Sequence, residues 1–187
     1  MIKRRDMLRL SAGLLALKAL GLRAADDAGA LPLIQRPVPS SGEMLPVMGM
    51  GTSRTFDTPG DSESLAKLGE ILRLFLANQG TVIDSSPMYG EAESRVGDVL
   101  RKLEPTPALF SATKVWTEGK EQGIAQMEES ARRMNVERFD LIAVHNLVDW
   151  QTQLATLKDW KEQGKVRYIG ITTSHGRDHD AFLRVMR

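Results

Sequence analysis

Residues 81–100 read TVIDSSPMYGEAESRVGDVL, a stretch that joins an apolar run, a polar turn and an amphipathic segment. The run at 81–84 predicts a strand, because it is short, apolar and β-branched. Val96, Val99 and Leu100 recur at the spacing of one helix face. A strand followed by a crossover helix is the building unit of a parallel sheet.

The same unit repeats on both sides of this stretch. Further strand candidates are residues 45–51, 108–114, 139–145 and 166–171. Most of them are continuous apolar runs, as expected where helices cover both faces of a sheet. Helical stripes separate the strands, and the turn residues 40–43 predict a hairpin between 33–38 and 44–47. The sequence therefore predicts an α/β fold with a parallel sheet.

Two architectures carry such a sheet, an open doubly wound sheet and a closed barrel. An open dinucleotide-binding sheet has the pattern G-x-G-x-x-G after its first strand, and here Gly49 and Gly51 supply only its first half. A barrel instead collects functional side chains at the carboxyl ends of successive strands.

Polar side chains do follow successive strands. Asp84, Lys114 and His145 stand at three strand ends, and Tyr89 lies in the turn after the first of these strands. We therefore predict a partial TIM (β/α)8-type barrel with about five of the eight βα units, preceded by the hairpin.

Composition excludes several other classes of site. The chain has no cysteine, which excludes thiolate catalysis, disulfides and cysteine-based metal centres. Its three histidines are scattered, so no metal site is predicted. Beyond residue 30 the chain is slightly acidic and lacks the basic clusters that nucleic-acid binding requires.

Together these residues resemble the aldo-keto reductase family, whose catalytic group is an Asp, Tyr, Lys and His in this order. The matching positions are Asp84, Tyr89, Lys114 and His145, and the likeness extends over residues 33–187. It is supported by the segments 49–52, 89–97 and 167–171. The resemblance implies an NADP-dependent oxidoreductase that reduces small aldehydes or ketones by hydride transfer, with NAD as the alternative cofactor.

The chemistry of these four groups is consistent with that reaction. A phenol is a weak acid near neutral pH, so we expect the Lys114 ammonium to lower the pKa of Tyr89, the general acid. The Asp84 carboxylate would keep the buried lysine charged. A neutral His145 imidazole would donate a hydrogen bond to the substrate oxygen.

The resemblance also implies binding residues. The expected cofactor contacts are Gly51, Thr52, Ser53, Asp84, Thr172 and Thr173. Where the family commonly has Ser-Asn after the fifth strand, this chain has Thr172 and Thr173, so one amide contact is missing. Trp116 and Asn146 are the expected substrate contacts, Trp116 as an aromatic wall of the pocket.

Residues 1–30 are predicted to be an export signal. Arg4 and Arg5 precede a moderately apolar run and the small residues 28–30, a pattern that resembles a twin-arginine signal peptide. The apolar run is too short for a stable membrane anchor. We therefore expect the twin-arginine translocase as a partner and a periplasmic location.

Residues 31–187 are predicted to form an incomplete barrel domain, because a full barrel needs about 250 residues. We therefore expect a C-terminal truncation. Two alternatives to a reductase stay open, a non-catalytic nucleotide-binding or partner-binding module and an inactive truncated remnant.

Overall fold

An antiparallel hairpin precedes the sheet, as the turn at 40–43 predicts. The computed structural model describes residues 33–103 and 107–187, except for the side chain of Arg177. The hairpin strands are β1, Gln35–Pro37, and β2, Met44–Pro46, with Arg36 opposite Leu45. Residues 35–187 form one compact unit.

Five parallel strands follow, and each pairs with the next one along the chain. They are β3 Met50–Gly51, β4 Val82–Asp84, β5 Phe110–Val115, β6 Phe139–His145 and β7 Val166–Thr172. Their spatial order, β3-β4-β5-β6-β7, is the order of the sequence. A doubly wound sheet reverses direction at its centre, whereas a barrel adds strands in one direction only. The sheet is therefore wound as a partial barrel, as predicted.

A helix follows each parallel strand and returns the chain to the edge of the sheet at which the strands begin. The helices are α1 Ser62–Ala77, α2 Ala92–Leu100, α3 Lys120–Met134, α4 Trp150–Glu162 and α5 His179–Val185. A short 3-10 turn, Gly176–Asp178, precedes α5. At the start of α1, the Asp61 carboxylate accepts a hydrogen bond from the Ser64 amide at 2.9 Å, which caps the helix.

The core lies between these helices and the sheet. The predicted apolar stripes supply it through side chains that are almost fully buried: Leu68, Leu72, Val96, Val99, Met127, Met134, Leu157 and Trp160. Ile71, which lies in α1 beside these residues, is instead 41% exposed. It sits at the margin of a stripe that is centred on Leu68 and Leu72.

The predicted strand at 45–51 is wrong as a single element. Its first part belongs to the hairpin and its last part to the sheet, while Val47 and Met48 between them are exposed. Pro46 has no N–H to donate to a continuing ladder, so the chain leaves the hairpin there and changes partner. The backbone of Gly49 then passes close to Val82, whose Cγ1 would lie 3.1 Å from an added Cβ.

The predicted export signal at residues 1–30 lies outside the described residues. Of the helices that the structure does describe, none is long and apolar enough to cross a membrane.

Candidate active site

The parallel strands bring the four predicted catalytic residues to one edge of the sheet. Asp84 is the last residue of β4, Lys114 the penultimate residue of β5 and His145 the last residue of β6. Tyr89 lies in the turn between β4 and α2. Carboxyl ends of parallel strands share an edge, so the register of the sheet gathers these groups.

Lys114 is held by three hydrogen bonds. Its Nζ donates to both carboxylate oxygens of Asp84, at 2.7 and 2.8 Å, and to the carbonyl oxygen of Ser85 at 2.8 Å. The Lys114 side chain is only 9% exposed, whereas that of Asp84 is 46% exposed. The ammonium is therefore buried, paired and fixed in position, with the carboxylate open to solvent on one side.

Tyr89 lies beside both the ammonium and the imidazole. The Lys114 Nζ is 5.4 Å from the centroid of the phenol ring, a cation–π arrangement. The Tyr89 and His145 ring centroids are 6.2 Å apart, and the two planes meet edge to face at 87°. The structure thus assembles all four predicted groups around one point.

The phenol differs from expectation in its acidity. Burial raises the pKa of Tyr89, and the negative charge of Asp84 raises it further. The expectation that Lys114 lowers this pKa is therefore wrong for this arrangement. Burial and the Asp84 charge outweigh any effect of Lys114 on the phenol, and the hydrogen bonds of the Lys114 Nζ in the described structure go to Asp84 and Ser85 rather than to the phenol.

His145 is buried, and its surroundings favour the neutral imidazole. Burial lowers the pKa of this imidazole, and the positive charge of Lys114 adds to the effect, while Asp84 opposes it. Its Nδ1 lies 3.1 Å from the hydroxyl oxygen of Ser86, which is completely buried. Within the described part of the chain, its Nε2 makes no hydrogen bond.

Of the predicted cofactor contacts at the first parallel strand, β3, two are exposed and one is buried. Gly51 and Ser53 are exposed, and an added Cβ at Gly51 would meet nothing within 4 Å. Thr52 is fully buried, with its hydroxyl 3.1 Å from the Asp84 carbonyl oxygen and 2.9 Å from the Ser85 hydroxyl. Thr52 thus ties β3 to β4, and a cofactor would meet the backbone of this segment.

The predicted contacts at the last strand also lie on this edge. Thr172 is opposite His145 in the register of β6 and β7 and is half-buried. The Thr173 hydroxyl accepts a hydrogen bond from the His175 amide at 3.2 Å. Together with Gly51 and Ser53, these hydroxyls form a small, polar surface at the carboxyl ends of the strands.

The two predicted substrate contacts lie in loops beyond the strands. Trp116 is 42% exposed, and Gln126 holds its backbone by accepting from its N–H at 2.6 Å and donating to its carbonyl at 3.2 Å. Asn146 has a positive φ of 53°, and its Oδ1 accepts from the amide of Ser174 at 2.8 Å. The Asn146 side chain thus joins the loop after β6 to the loop after β7.

Two groups next to the predicted residues were given no role from the sequence. One is Ser86, whose place two residues after the strand end at Asp84 was a usable signal. The other is Glu93, which is 1% exposed and accepts hydrogen bonds from Thr113 at 2.6 Å and Ser130 at 3.1 Å. A charged residue on the buried face of α2 could have been recognised from its spacing to Val96 and Leu100.

Comparison with known proteins agrees with this fold. Residues 47–180 match the model of the Aldo/keto reductase family. The chain is 30% identical over 144 residues to methylglyoxal reductase YeaE of Escherichia coli (strain K12). The aligned region covers 74% of this chain and 49% of that protein. The chain thus spans about half the length of this curated relative.

Solved structures share the fold. A putative aldo-keto reductase from Pseudomonas aeruginosa superposes with a TM-score of 0.67 at 22% identity, covering 81% of this chain and 64% of the other. An aldo-keto reductase from Klebsiella pneumoniae in complex with NADPH gives 0.65 at 24% identity, covering 81% of this chain and 54% of the other. With a family match over most of its length, this chain belongs to the aldo/keto reductase family.

Proposed function

We propose that this chain reduces small aldehydes or ketones with NADPH, using Tyr89 as the general acid. The observation that carries the proposal is the buried Lys114, pinned to Asp84 and placed 5.4 Å from the Tyr89 ring. A buried ammonium is costly unless it is paired and hydrogen-bonded, and here Asp84 pairs it beside the Tyr89 ring.

The reaction places one proton and one hydride on the carbonyl group. When bound, the nicotinamide supplies the hydride to the carbonyl carbon and is itself oxidised. Tyr89 gives its phenolic proton to the carbonyl oxygen, which takes the electron pair of the broken π bond. His145 orients that oxygen by a hydrogen bond.

The raised pKa of Tyr89 suits a donor that must keep its proton until charge develops. The phenol stays protonated at neutral pH because burial and Asp84 both oppose its ionisation. As the carbonyl oxygen becomes negative, proton transfer to it becomes favourable. The nearby Lys114 ammonium then stabilises the phenolate that remains.

The proposed cofactor is NADP, with NAD as the alternative. The described residues that would hold it are Gly51, Thr52, Ser53, Asp84, Thr172 and Thr173, with Thr52 contributing through its backbone because its hydroxyl is already bonded. The Klebsiella pneumoniae relative was solved with NADPH.

The substrate is proposed to enter beside Trp116 and Asn146. The name of the Escherichia coli relative makes methylglyoxal a rational first probe for this chain. It carries two small adjacent carbonyl groups, and a simple aldehyde and a simple ketone complete a panel.

The test follows NADPH oxidation by the full chain with that panel. We expect turnover by the wild type and a loss of about a hundredfold or more in Lys114→Met, which removes the ammonium and keeps the length of the side chain. Lys120→Met is the control, because Lys120 forms an exposed ion pair with Asp159 elsewhere. Equal rates in Lys114→Met and wild type would contradict the proposal.

A second candidate function is nucleotide binding without turnover. The hydrogen bonds of the Lys114 Nζ in the described structure favour it, because they go to Asp84 and Ser85 and none reaches the Tyr89 phenol. Tight NADPH binding by the wild type, with no oxidation on any carbonyl of the panel, would establish this alternative and exclude the reductase.

Export to the periplasm through the twin-arginine translocase is also proposed, on the sequence of residues 1–30 alone. Arg4→Lys together with Arg5→Lys should retain the protein in the cytoplasmic fraction, whereas the wild type should appear in the periplasmic fraction. The same distribution for both proteins would refute export.

A further inference from the structure

Ser86 is buried directly against the imidazole of His145. We propose that Ser86 is a positioning residue whose hydroxyl donates to Nδ1 of His145 and so keeps the imidazole proton on Nε2, ready for the carbonyl oxygen. The inference rests on the proposed reductase function, which it deepens by naming the group that sets the state of His145.

The assignment begins with the hydrogen bonds of the serine. Within the described residues, the Ser86 Oγ has two partners, Nδ1 of His145 at 3.1 Å and the backbone N of Met88 at 3.4 Å. The amide of Met88 can only donate. Ser86 has no exposed surface, so its own hydroxyl hydrogen must find an acceptor within the protein. The acceptor that the described structure offers is Nδ1 of His145.

The state of His145 follows from this bond. A neutral imidazole carries one N–H, so a ring whose Nδ1 accepts must hold its proton on Nε2. The ring is neutral because burial and the adjacent Lys114 both lower its pKa. The hydrogen-bond pattern thus selects one tautomer of the two.

The other nitrogen is left available for substrate. Nε2 makes no hydrogen bond to a described residue, and the ring lies 6.2 Å from that of the proposed acid, Tyr89. With the proton on Nε2, the imidazole is a donor to a carbonyl oxygen. With the proton on Nδ1, it would present a lone pair to that oxygen and repel it.

Nitrogen NMR of the full chain tests the tautomer without reference to activity. With ¹⁵N-labelled histidine, a His145→Gln variant identifies the His145 signals among those of His175 and His179. We expect the wild type to show a protonated Nε2 and an unprotonated, hydrogen-bonded Nδ1. A protonated Nδ1 in the wild type would overturn the inference by itself, even if no variant of Ser86 folds.

Substitutions then test whether Ser86 is responsible. Ser86→Ala should move the Nδ1 signal and introduce the second tautomer, while Ser86→Thr, which keeps the hydroxyl, should restore the wild-type signals. Ser130→Ala is the matched control, since Ser130 is an equally buried serine that bonds Glu93 instead. An unchanged His145 spectrum in Ser86→Ala would remove Ser86 from the role.

Kinetics separate this inference from the proposed function. In Ser86→Ala we expect kcat for carbonyl reduction to fall about tenfold, with NADPH affinity unchanged. In Ser86→Thr we expect kcat to be partly restored. A wild type that reduces no carbonyl but has the proton on Nε2 would refute the reductase function while keeping the tautomer assignment. A wild type that reduces carbonyls with the proton on Nδ1 would refute this inference alone.

Discussion

Glu93 shows how a single buried carboxyl can make stability depend on pH. It lies between β5 and α3, where Thr113 and Ser130 donate to its two oxygens. Burial raises the pKa of Glu93, although these two hydroxyls and the cations Arg133 and Lys114 oppose the shift. The charged form of this side chain is therefore less favourable in the folded protein than in the unfolded chain.

The sign of the pH dependence follows from that shift. As pH rises above the ordinary pKa of 4.5, the unfolded chain releases this proton first, so ionisation favours unfolding until the folded-state pKa is passed. Glu93→Gln removes the titration and keeps the shape. We expect the free energy of unfolding of wild type relative to Glu93→Gln, measured by urea titrations, to fall as pH rises above 4.5 and to level off once the folded-state pKa is passed. A difference that stays constant or rises would contradict the account.

Strand ends explain which site residues could be predicted. Asp84, Lys114 and His145 end parallel strands, so topology alone gathers them, and Tyr89 follows Asp84 in the same turn. The contact of Ser86 with His145 could not be read this way, because it joins residues 59 positions apart and depends on side-chain direction. The acidity of Tyr89 was mispredicted for the same kind of reason, since it depends on where the bonds of Lys114 go.

At the scale of elements, α2 and α3 are in close contact at Gly97. A Cβ built there would lie only 1.9 Å from the carbonyl oxygen of Arg133, so a side chain of any size is excluded unless a helix moves. Gly69 on α1 is a contrasting helical glycine, where the nearest atoms to an added Cβ would be those of Arg73 and Val99, at 4.0 Å.

The two glycines should respond in opposite directions to alanine. Gly97→Ala should destabilise the protein by about 1–3 kcal/mol, because overpacking separates α2 from α3. Gly69→Ala should be stabilising by about 0.5–1 kcal/mol, because alanine favours the helix and the space is present. Thermal or urea unfolding measures both, and a stable Gly97→Ala protein would show that the two helices are not packed as described.

Element positions were predictable where one periodicity dominates. The apolar stripes located α1 to α4, and β6 begins and ends at the predicted residues. The single strand predicted at residues 45–51 was wrong because this apolar run contributes to two different sheets. The position of the break at Pro46 depends on which strand each half pairs with. Periodicity describes burial along a segment and carries no information about which strand it pairs with.

Across the whole molecule, charged side chains fasten the hairpin to the last strand, at the opposite end of the sheet from the site. The Arg167 guanidinium donates to Glu43 in the hairpin at 2.5 Å and to Asp140 on β6 at 2.6 Å. The Tyr168 hydroxyl lies 2.5 Å from Glu43 and 2.7 Å from the Ser41 hydroxyl. The hairpin therefore depends on a partly buried network for its position.

Removing the Arg167 guanidinium should loosen the hairpin while the parallel sheet stays folded. Arg167→Leu leaves the carboxylates of Glu43 and Asp140 without their cation. We therefore expect faster hydrogen exchange at the Val38 amide, which bonds the Glu43 carbonyl at 2.8 Å. Amides of β6 should exchange at the wild-type rate. Lys120→Leu, which removes an exposed ion pair, is the control and should change neither. Equal protection of Val38 in both variants would show that the network does not hold the hairpin.

Strand order was the most predictable property of the whole molecule. Sequential addition of strands follows from repeating βα units and the missing glycine pattern, and it places the proposed site on one edge. The hairpin network was not predictable, since Glu43 and Arg167 are 124 positions apart and meet only after the sheet has formed.

The central claim is that Tyr89 gives a proton to a carbonyl oxygen at this edge. The most direct measurement compares wild type with Tyr89→Phe, following NADPH oxidation with methylglyoxal and NADPH binding by fluorescence in the same samples. The account predicts that kcat falls by about a hundredfold to ten-thousandfold while NADPH affinity is kept. Reduction by Tyr89→Phe at the wild-type rate would contradict it.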